Sequence, residues 1–222
     1  MLKLITYADL ISLLNICFGT LALYQTIQGN ITAAIQLILL AIIADGLDGI
    51  VARKTGSGPL GNYLEAMGDM TSLTLAPLLL LLKTFTSNNE AYCILLLLGL
   101  LLYLICSTIR LASFHVLKTP NSFTGLPVSA AAITLIFVST LQIEPLVLLV
   151  LPYFFSLLLI SPLSYPKNTM PINLITAVLV VFIIINDYTI DSPLPTIVFL
   201  LAISSYVLIG PLYLHFSKKK KA

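Results

Sequence analysis

Long apolar stretches recur along most of this chain and are separated by short polar breaks. They predict membrane-spanning helices at about residues 9–27, 31–53, 62–82, 91–117, 124–142, 145–161, 171–186 and 194–215, because crossing the hydrocarbon core takes ~20 apolar residues. The sixth stretch is short and contains Pro152. The pattern predicts an all-α integral membrane protein, a polytopic bundle of about eight transmembrane helices, in a single domain over residues 1–222.

The composition agrees with a membrane protein and excludes most soluble enzymes. Charged residues make up 9% of the 222 residues and apolar residues 59%, with a mean hydropathy of +1.05, whereas soluble domains carry ~25% charged residues. No polar stretch longer than a loop separates the spans, so there is no room for a distinct aqueous domain. The sequence also lacks a Gly-rich phosphate loop and a basic patch for nucleic acid, so we expect no nucleic-acid partner.

The distribution of charge predicts the orientation in the cell membrane. With Lys3 in the cytoplasm and successive spans alternating, ten of the eleven basic residues fall on the inner side and only Lys83 falls outside. Five acidic residues also lie on the inner side, and these are Asp9, Asp45, Asp48, Glu65 and Asp69. We therefore expect the functional face of this multi-pass protein to be cytoplasmic.

Four of these carboxylates are concentrated where the second predicted span ends and the third begins. Asp45 and Asp48 are three residues apart, and Glu65 and Asp69 are four apart, so each pair lies on one helix face. A short turn joins the two spans and brings the faces together. Because an ionised Asp within a membrane helix costs at least about 2.5–3.5 kcal/mol, the four carboxylates require a cationic partner.

Two interpretations of the cluster remain open on residue type alone. The acids could form ion pairs with Arg53, Lys54 and Arg110, or line the path of a cation transporter. Alternatively, they could bind two divalent cations, Mg²⁺ or Mn²⁺, because hard cations prefer oxygen ligands. Two such ions can clamp a phosphoryl group. The concentration of acids at one membrane face favours a metal site, since a transport path would place acids through the membrane depth.

The residues of this cluster resemble the CDP-alcohol phosphatidyltransferase family. Residues 45–53 read DGLDGIVAR and are followed by Gly61, Glu65 and Asp69, which is similar to the family signature D-x-x-D-G-x-x-A-R-x8-G-x-x-x-D-x-x-x-D. The chain departs from this signature in two places. Seven residues separate Arg53 from Gly61, one fewer than in the family, and Glu65 stands where the family has Asp.

The resemblance implies a cytoplasm-facing cavity in which Asp45, Asp48, Glu65 and Asp69 bind two divalent metals, Mg²⁺ or Mn²⁺. Asp69 would also be the general base that takes the hydroxyl proton of an acceptor alcohol. The alcohol would attack the lipid-linked phosphorus of a CDP-lipid and expel CMP. The residues implied for CDP-lipid binding are Asn15, Gly49, Ala52, Arg53 and Gly61. A packing amide within the bundle is the competing interpretation of Asn15.

Three further segments resemble the branch of the family that uses L-serine, the phosphatidylserine and archaetidylserine synthases. They read RLASF at residues 110–114, FTGLP at 123–127 and SYPK at 164–167. The departures are Ser113, where this branch usually has a second Arg, and residues 128–129, where Val-Ser replaces the usual Ser-Pro. The resemblance implies an enzyme that transfers the phosphatidyl or archaetidyl group to serine.

A serine site should supply a cation for the carboxylate of the substrate. Arg110 is the first candidate, and Lys118 and Lys167 are secondary candidates. The competing interpretation of both lysines is that their side chains reach to the lipid headgroups. Inositol phosphate or glycerol phosphate is the alternative acceptor. The expected donor is CDP-diacylglycerol or CDP-archaeol, because lipid-facing Leu and Ile side chains can contact either a diacyl or an isoprenoid tail. The protein would also contact the surrounding membrane lipids. The family resemblance further implies a homodimer.

Overall fold

The computed structural model describes residues 4–56, 58–87, 89–114, 122–141, 144–166, 170–189 and 194–219, with the backbone alone for 170–174, 186–189 and 215–219. The chain divides into two compact units, Met1–Leu100 and Leu101–Ala222. Their boundary falls inside a single long helix, α5 (Glu90–Ser113).

The first unit begins with two long helices that pack closely together. α1 (Tyr7–Gln28) starts at a capping box, in which the Thr6 hydroxyl accepts from the Asp9 backbone and the Asp9 carboxylate accepts from the Thr6 backbone. It ends at Gly29, whose φ of 84° is readily adopted only by glycine. α2 (Ile31–Thr55) follows after this turn, and its contacts with α1 are the most extensive between any two described elements.

The next helix of the first unit changes its geometry part-way along. α3 (Gly61–Asp69) continues into a π-helical segment (Met70–Leu75) and then into α4 (Ala76–Phe85). Together they form one continuous apolar helix of 25 residues. Gly19 of α1 lies directly against the π-helical segment, because a Cβ at that position would be 2.9 Å from the Ser72 backbone. This close approach fixes α1 beside the residues that follow Asp69.

The second unit contains the end of α5 and a small two-stranded sheet. β1 (Ser122–Thr124) pairs with β2 (Ser164–Pro166) in antiparallel register, with Phe123 opposite Tyr165. Gly125 follows β1 with a φ of 80° and donates its N–H to the Leu163 carbonyl at 2.8 Å. A side chain at Gly125 would collide with the Leu159 carbonyl, so the turn requires glycine.

α6 (Val128–Thr140) packs against two of the helices that follow it and is buried along nearly its whole length. α7 (Pro145–Leu159) runs through Pro152, where the Ser156 hydroxyl donates to the Pro152 carbonyl at 2.6 Å. α8 (Met170–Thr189) and α9 (Leu194–Lys219) complete the unit. Phe137 of α6 meets Phe199 of α9 edge to face, with ring centroids 5.6 Å apart. α6 therefore forms the core of the unit.

The described part of the chain confirms the all-α membrane fold. It contains eight helices when Gly61–Phe85 is counted as one. Five are long and apolar enough to cross a membrane, while α6, α7 and the apolar part of α8 (Ile175–Ile185) are shorter. Many large apolar side chains, such as Leu14 of α1 and Leu98 of α5, are exposed. Exposed apolar surface of this extent is expected of helices that face lipid.

The structure corrects the predicted boundaries around the fifth span. That span was expected to begin at residue 124, but Thr124 belongs to β1 and α6 begins at Val128. The positive φ of Gly125 and the missing N–H of Pro127 keep the intervening residues out of the helix. The fourth span, expected to reach residue 117, ends as a helix at Ser113, and residues 115–121 lie outside the described part.

Candidate active site

A stripe of buried polar residues runs along the first turns of α1. Asp9, Ser12 and Asn15 are spaced by three residues and therefore lie on one face of the helix. All three are buried, and Asn15 has no exposed surface. Buried polar groups need partners, and the neighbouring helices supply them for Ser12 and Asn15.

Ser12 holds the carboxylate of Asp48. The Ser12 hydroxyl donates to Asp48 Oδ2 at 2.5 Å, and both residues are at most 5% exposed. Asp48 lies on the last turns of α2, where the offset of three residues from Asp45 was predicted to place both acids on one face. A hydroxyl that donates to an ionised carboxylate forms a charge-assisted hydrogen bond, which is stronger than one between neutral groups.

The carboxyl groups of Asp45 and Asp69 contact each other. They form a side-chain hydrogen bond between α2 and the end of α3. Asn15 adds a second contact, because its Nδ2 donates to Asp69 Oδ1 at 3.3 Å. Two ionised carboxylates have no proton to share, so a proton or a cation must lie between Asp45 and Asp69.

Glu65 completes the group of four acids. It acts electrostatically on Asp45, Asp48 and Asp69 alike, so its carboxylate lies close to all three. The structure therefore brings together the four acids that the sequence spacing placed on facing helices. Like charges at this density repel one another, and a bound cation would relieve that repulsion.

The acids offer the oxygen donors that suit a hard divalent cation, but their side chains are not arranged around a single metal position. No group of three or more His, Cys, Asp or Glu side chains among the described residues is arranged to hold a metal ion together. In this arrangement Asp45 is hydrogen-bonded to Asp69, and Asp48 accepts a hydrogen bond from Ser12. In the same region, Asn15 Oδ1 is buried and has no hydrogen-bond partner in the part of the chain that the structure describes. Carboxylate and amide oxygens are the ligands that Mg²⁺ and Mn²⁺ prefer.

The residues predicted to bind the CDP-lipid lie at the ends of the same helices. Gly49 and Ala52 are half-buried on α2, and a Cβ at Gly49 would be 3.6 Å from Arg53 Nη1, an ordinary contact distance. Arg53 is exposed in the last turn of α2, where a cation interacts favourably with the helix dipole. Gly61 is the first residue of α3. Their role in nucleotide binding stays a prediction.

Asp9 and the loop residue Gly58 were not identified as site residues from the sequence. A Cβ at Gly58 would be 2.8 Å from Asp9 Oδ2 and 2.9 Å from Thr6 Cγ2, so the loop between α2 and α3 rests on the start of α1. Asp9 also acts electrostatically on Asp48. The three-residue spacing of polar side chains in an otherwise apolar helix was the available signal for Asp9 and Ser12.

The predicted serine-binding cation, Arg110, lies in the second unit at the end of α5. It is 6% exposed, and its guanidinium carbon is 5.7 Å from the ring centroid of Phe114. Its Nε has no hydrogen-bond partner among the described residues. The other two predicted cations, Lys118 and Lys167, lie outside the described residues.

Comparison with known proteins points to one family of enzymes. A family model described as CDP-alcohol phosphatidyltransferase matches residues 5–165. The chain is 37% identical over 166 residues to the CDP-diacylglycerol–serine O-phosphatidyltransferase of Methanocaldococcus jannaschii. The aligned region covers 74% of this chain and 76% of that relative. It is 35% identical over 173 residues to the archaetidylserine synthase of Methanothermobacter thermautotrophicus, and the aligned region covers 73% of this chain and 70% of that relative. It is 28% identical over 162 residues to the CDP-diacylglycerol–serine O-phosphatidyltransferase of Bacillus subtilis, and the aligned region covers 71% of this chain and 88% of that relative.

The matched region contains the whole acidic cluster and extends into β2. Family members generally depend on divalent metal ions, in agreement with the oxygen donors described above. The long apolar helices make this a multi-pass membrane protein. From the matched region and the four facing carboxylates, we conclude that the chain belongs to the CDP-alcohol phosphatidyltransferase family of membrane enzymes.

Proposed function

We propose that the protein transfers the phosphatidyl or archaetidyl group of a CDP-lipid to the hydroxyl of L-serine and releases CMP. The observation that carries this proposal is the convergence of Asp45, Asp48, Glu65 and Asp69 on facing helices. The choice of serine is supported by relatives whose names specify serine or archaetidylserine. Their archaeal and bacterial sources are consistent with either lipid tail.

Asp69 is the general base in this proposal. Its carboxylate is held by Asn15 from α1 and by Asp45 from α2, so its orientation is fixed by two neighbouring helices. The proton of the serine hydroxyl passes to Asp69 as the serine oxygen bonds to the lipid-linked phosphorus. The bond between that phosphorus and the CMP oxygen breaks, and CMP leaves with its negative charge.

The four acids would hold two divalent cations, Mg²⁺ or Mn²⁺. When bound, such ions neutralise the diphosphate and stabilise the attacking and leaving oxygens. Ser12 keeps the Asp48 carboxylate oriented, and Asn15 offers its buried Oδ1 as a further oxygen. Glu65 is one methylene longer than the aspartate of the family signature and compensates for the loop that is one residue shorter.

The finer features of the site follow from the same proposal. Gly49, Ala52 and Gly61 leave room for the cytidine and its phosphates, and Asn15 contributes to the cytidyl pocket. Arg53 balances the local charge. The site faces the cytoplasm, as the positions of the basic residues predict. We also propose a homodimer and a single domain; the family model runs through both compact units, which supports the latter.

The test is CMP release by the purified protein with CDP-diacylglycerol or CDP-archaeol and each candidate alcohol. We expect release with L-serine and a divalent metal, incorporation of radiolabelled serine into lipid, and loss of turnover in Asp45→Ala, Asp48→Ala and Asp69→Asn. Release with inositol phosphate or glycerol phosphate, but not with serine, would refute the choice of acceptor. Retained turnover in any of the three variants would refute the assigned roles.

A further inference from the structure

The loop between α2 and α3 is short, and both of its ends are fixed by backbone hydrogen bonds. Gly56 ends α2 and donates its N–H to the Ala52 carbonyl at 2.9 Å. The Gly58 carbonyl accepts from the N–H of Gly61, the first residue of α3, at 3.2 Å. A single residue separates Gly56 from Gly58 in the sequence. A displacement of Gly58 is therefore passed directly to the start of α3, the helix that carries two of the four acids.

Gly58 is enclosed by the residues that begin α1. A Cβ at this position would be 2.8 Å from Asp9 Oδ2, 2.9 Å from Thr6 Cγ2 and 3.0 Å from the Leu4 carbonyl oxygen. The φ of Gly58 lies outside the left-handed region, so space and not backbone conformation requires glycine here. Ordinary contacts begin at 3.4 Å, so Asp9 Oδ2 and a methyl group at position 58 would have to separate by about 0.6 Å.

The Asp9 carboxylate forms a fixed surface for this contact. Its Oδ2 accepts from the Thr6 N–H at 2.8 Å, within the capping box that starts α1. Asp9 is 1% exposed. Because a buried carboxylate that caps its own helix loses that bond when it moves aside, the side chain is held in place. The loop therefore rests on a rigid part of α1.

α1 also holds the far end of α3. A Cβ at Gly68 would be 2.9 Å from Asn15 Nδ2, and the same Nδ2 donates to Asp69 Oδ1 at 3.3 Å. Asp9 and Asn15 are six residues apart in α1, which is about 9 Å along the helix axis. α1 therefore contacts the loop before α3 through Asp9 and the end of α3 through Asn15, so it fixes the position of α3 at two points.

We propose that Asp9 is a positioning residue, which holds Gly58 so that the acids of α3 meet those of α2 across a connection one residue shorter than the family signature. This inference rests on the proposed function, in which the four acids bind the metal ions. Asp9 acts through its shape and its bond to Thr6, and not as a fifth ligand. Functional groups must be held within about 0.5 Å of the productive geometry. The separation of about 0.6 Å that a larger residue 58 would force is of this size.

The experiment compares Asp9→Ala, Asp9→Asn and Gly58→Ala with the unchanged protein by two measurements. One is Mn²⁺ binding without substrates, from the electron paramagnetic resonance signal of the free ion. The other is hydrogen exchange of residues 58–64 in the presence of EDTA. Asp9→Ala removes both the contact surface and the capping bond, so we expect Mn²⁺ to bind about tenfold or more weakly. The Gly61 N–H should exchange faster. Gly58→Ala should weaken Mn²⁺ binding to a similar extent.

Asp9→Asn separates the effect of position from the effect of charge. Asparagine keeps the size of the side chain and an oxygen that can accept from the Thr6 N–H. We therefore expect Asp9→Asn to restore most of the Mn²⁺ affinity that is lost in Asp9→Ala, and to restore the slow exchange of the Gly61 N–H. A loss of Mn²⁺ affinity as large as that in Asp9→Ala would show that Asp9 acts by its charge, and it would overturn the positioning role.

A matched control and a double variant make the test specific to the contact. Gly46→Ala makes the same change as Gly58→Ala at a position with no atom within 4 Å of a Cβ, so both measurements should stay unchanged. Slow exchange in α4 (Ala76–Phe85) in every variant would show that the unit stays folded. Asp9→Ala removes the atom nearest to the new methyl group of Gly58→Ala. The two changes together should therefore weaken Mn²⁺ binding by less than the product of their separate effects.

The positioning role and the proposed function fail in different ways. An unchanged protein that binds Mn²⁺ but releases no CMP with serine would refute the proposed function, while the binding and exchange measurements would still decide the role of Asp9. Normal CMP release by the unchanged protein, with Mn²⁺ binding and exchange unaffected in Asp9→Ala and Gly58→Ala, would refute the positioning role alone.

Discussion

The hydrogen bond between Ser12 and Asp48 allows the acidic cluster to be tested through a residue outside the family signature. Ser12→Ala removes the hydroxyl that donates to Asp48 Oδ2 at 2.5 Å, in a region where both residues are buried. The carboxylate oxygen then lacks its donor. Hydrogen bonds to charged groups contribute about 1.5–3 kcal/mol. We expect the variant to unfold more easily by about this amount when a chelator is present.

The same substitution should weaken metal binding. A residue that orients a ligating carboxylate typically changes metal affinity or activity by about 10–100-fold when it is removed. We therefore expect the Mn²⁺ concentration for half-maximal CMP release to rise by about tenfold or more. Saturating Mn²⁺ should recover most of the turnover and reduce the difference in stability, because the cation takes the place of the lost donor.

Thr20→Ala is the matched control on the same helix. The Thr20 hydroxyl donates only to the backbone of its own helix and is exposed, so its removal should change neither the Mn²⁺ midpoint nor the stability appreciably. A double-mutant cycle can be measured by the free energy of unfolding in the presence of a chelator. Ser12→Ala combined with Asp48→Asn should lower this free energy by less than the sum of the two single changes. A Mn²⁺ midpoint that is unchanged in Ser12→Ala would refute the orienting role of Ser12.

Three further predictions concern the metal, Glu65 and the helix contact at Gly19. Chelation with EDTA should abolish CMP release, and Mg²⁺ or Mn²⁺ should restore it; activity that survives exhaustive chelation would contradict a metal site. Glu65→Asp should lower turnover roughly tenfold because its carboxylate is withdrawn by one methylene; a rise from an inactive parent would instead identify Glu65 as a defect. Gly19→Ala should lower the free energy of unfolding by about 1–3 kcal/mol, since its Cβ would lie 2.9 Å from Ser72. In the same unfolding measurement Gly46→Ala, which has open space for a Cβ, should not destabilise; equal effects would refute the steric reasoning.

Much of the helical fold and the acidic cluster could be predicted because both depend on regular spacing. Apolar runs predicted α1 and α2 to within about two residues at each end. The offsets of the four acids placed them on facing surfaces, where the structure brings them together. Helical periodicity is a strong signal in a membrane protein because every backbone group in lipid must be satisfied within the helix.

The features that could not be predicted depend on contacts between distant segments. β1 and β2 have three residues each, which is too short for an alternating pattern, and their pairing joins residues about 40 positions apart. The partner of Asp48 could not be identified either, because Ser12 is 36 residues away in sequence. The π-helical segment Met70–Leu75 reads MTSLTL, which is equally compatible with an ordinary α-helix.

The π-helical segment Met70–Leu75 lets the two halves of its helix face in directions that a regular α-helix would not allow. One half carries the acids, and the other carries buried apolar side chains. Each residue of an α-helix advances about 100° around the axis, so an extra residue rotates everything beyond it by that angle. The carboxylates before this segment can therefore face the acidic cluster, while Leu80 and Leu81 after it are buried. Loss of one residue here would leave the composition of the helix almost unchanged, and yet it would rotate the half that carries Glu65 and Asp69 relative to the half that carries Leu80 and Leu81.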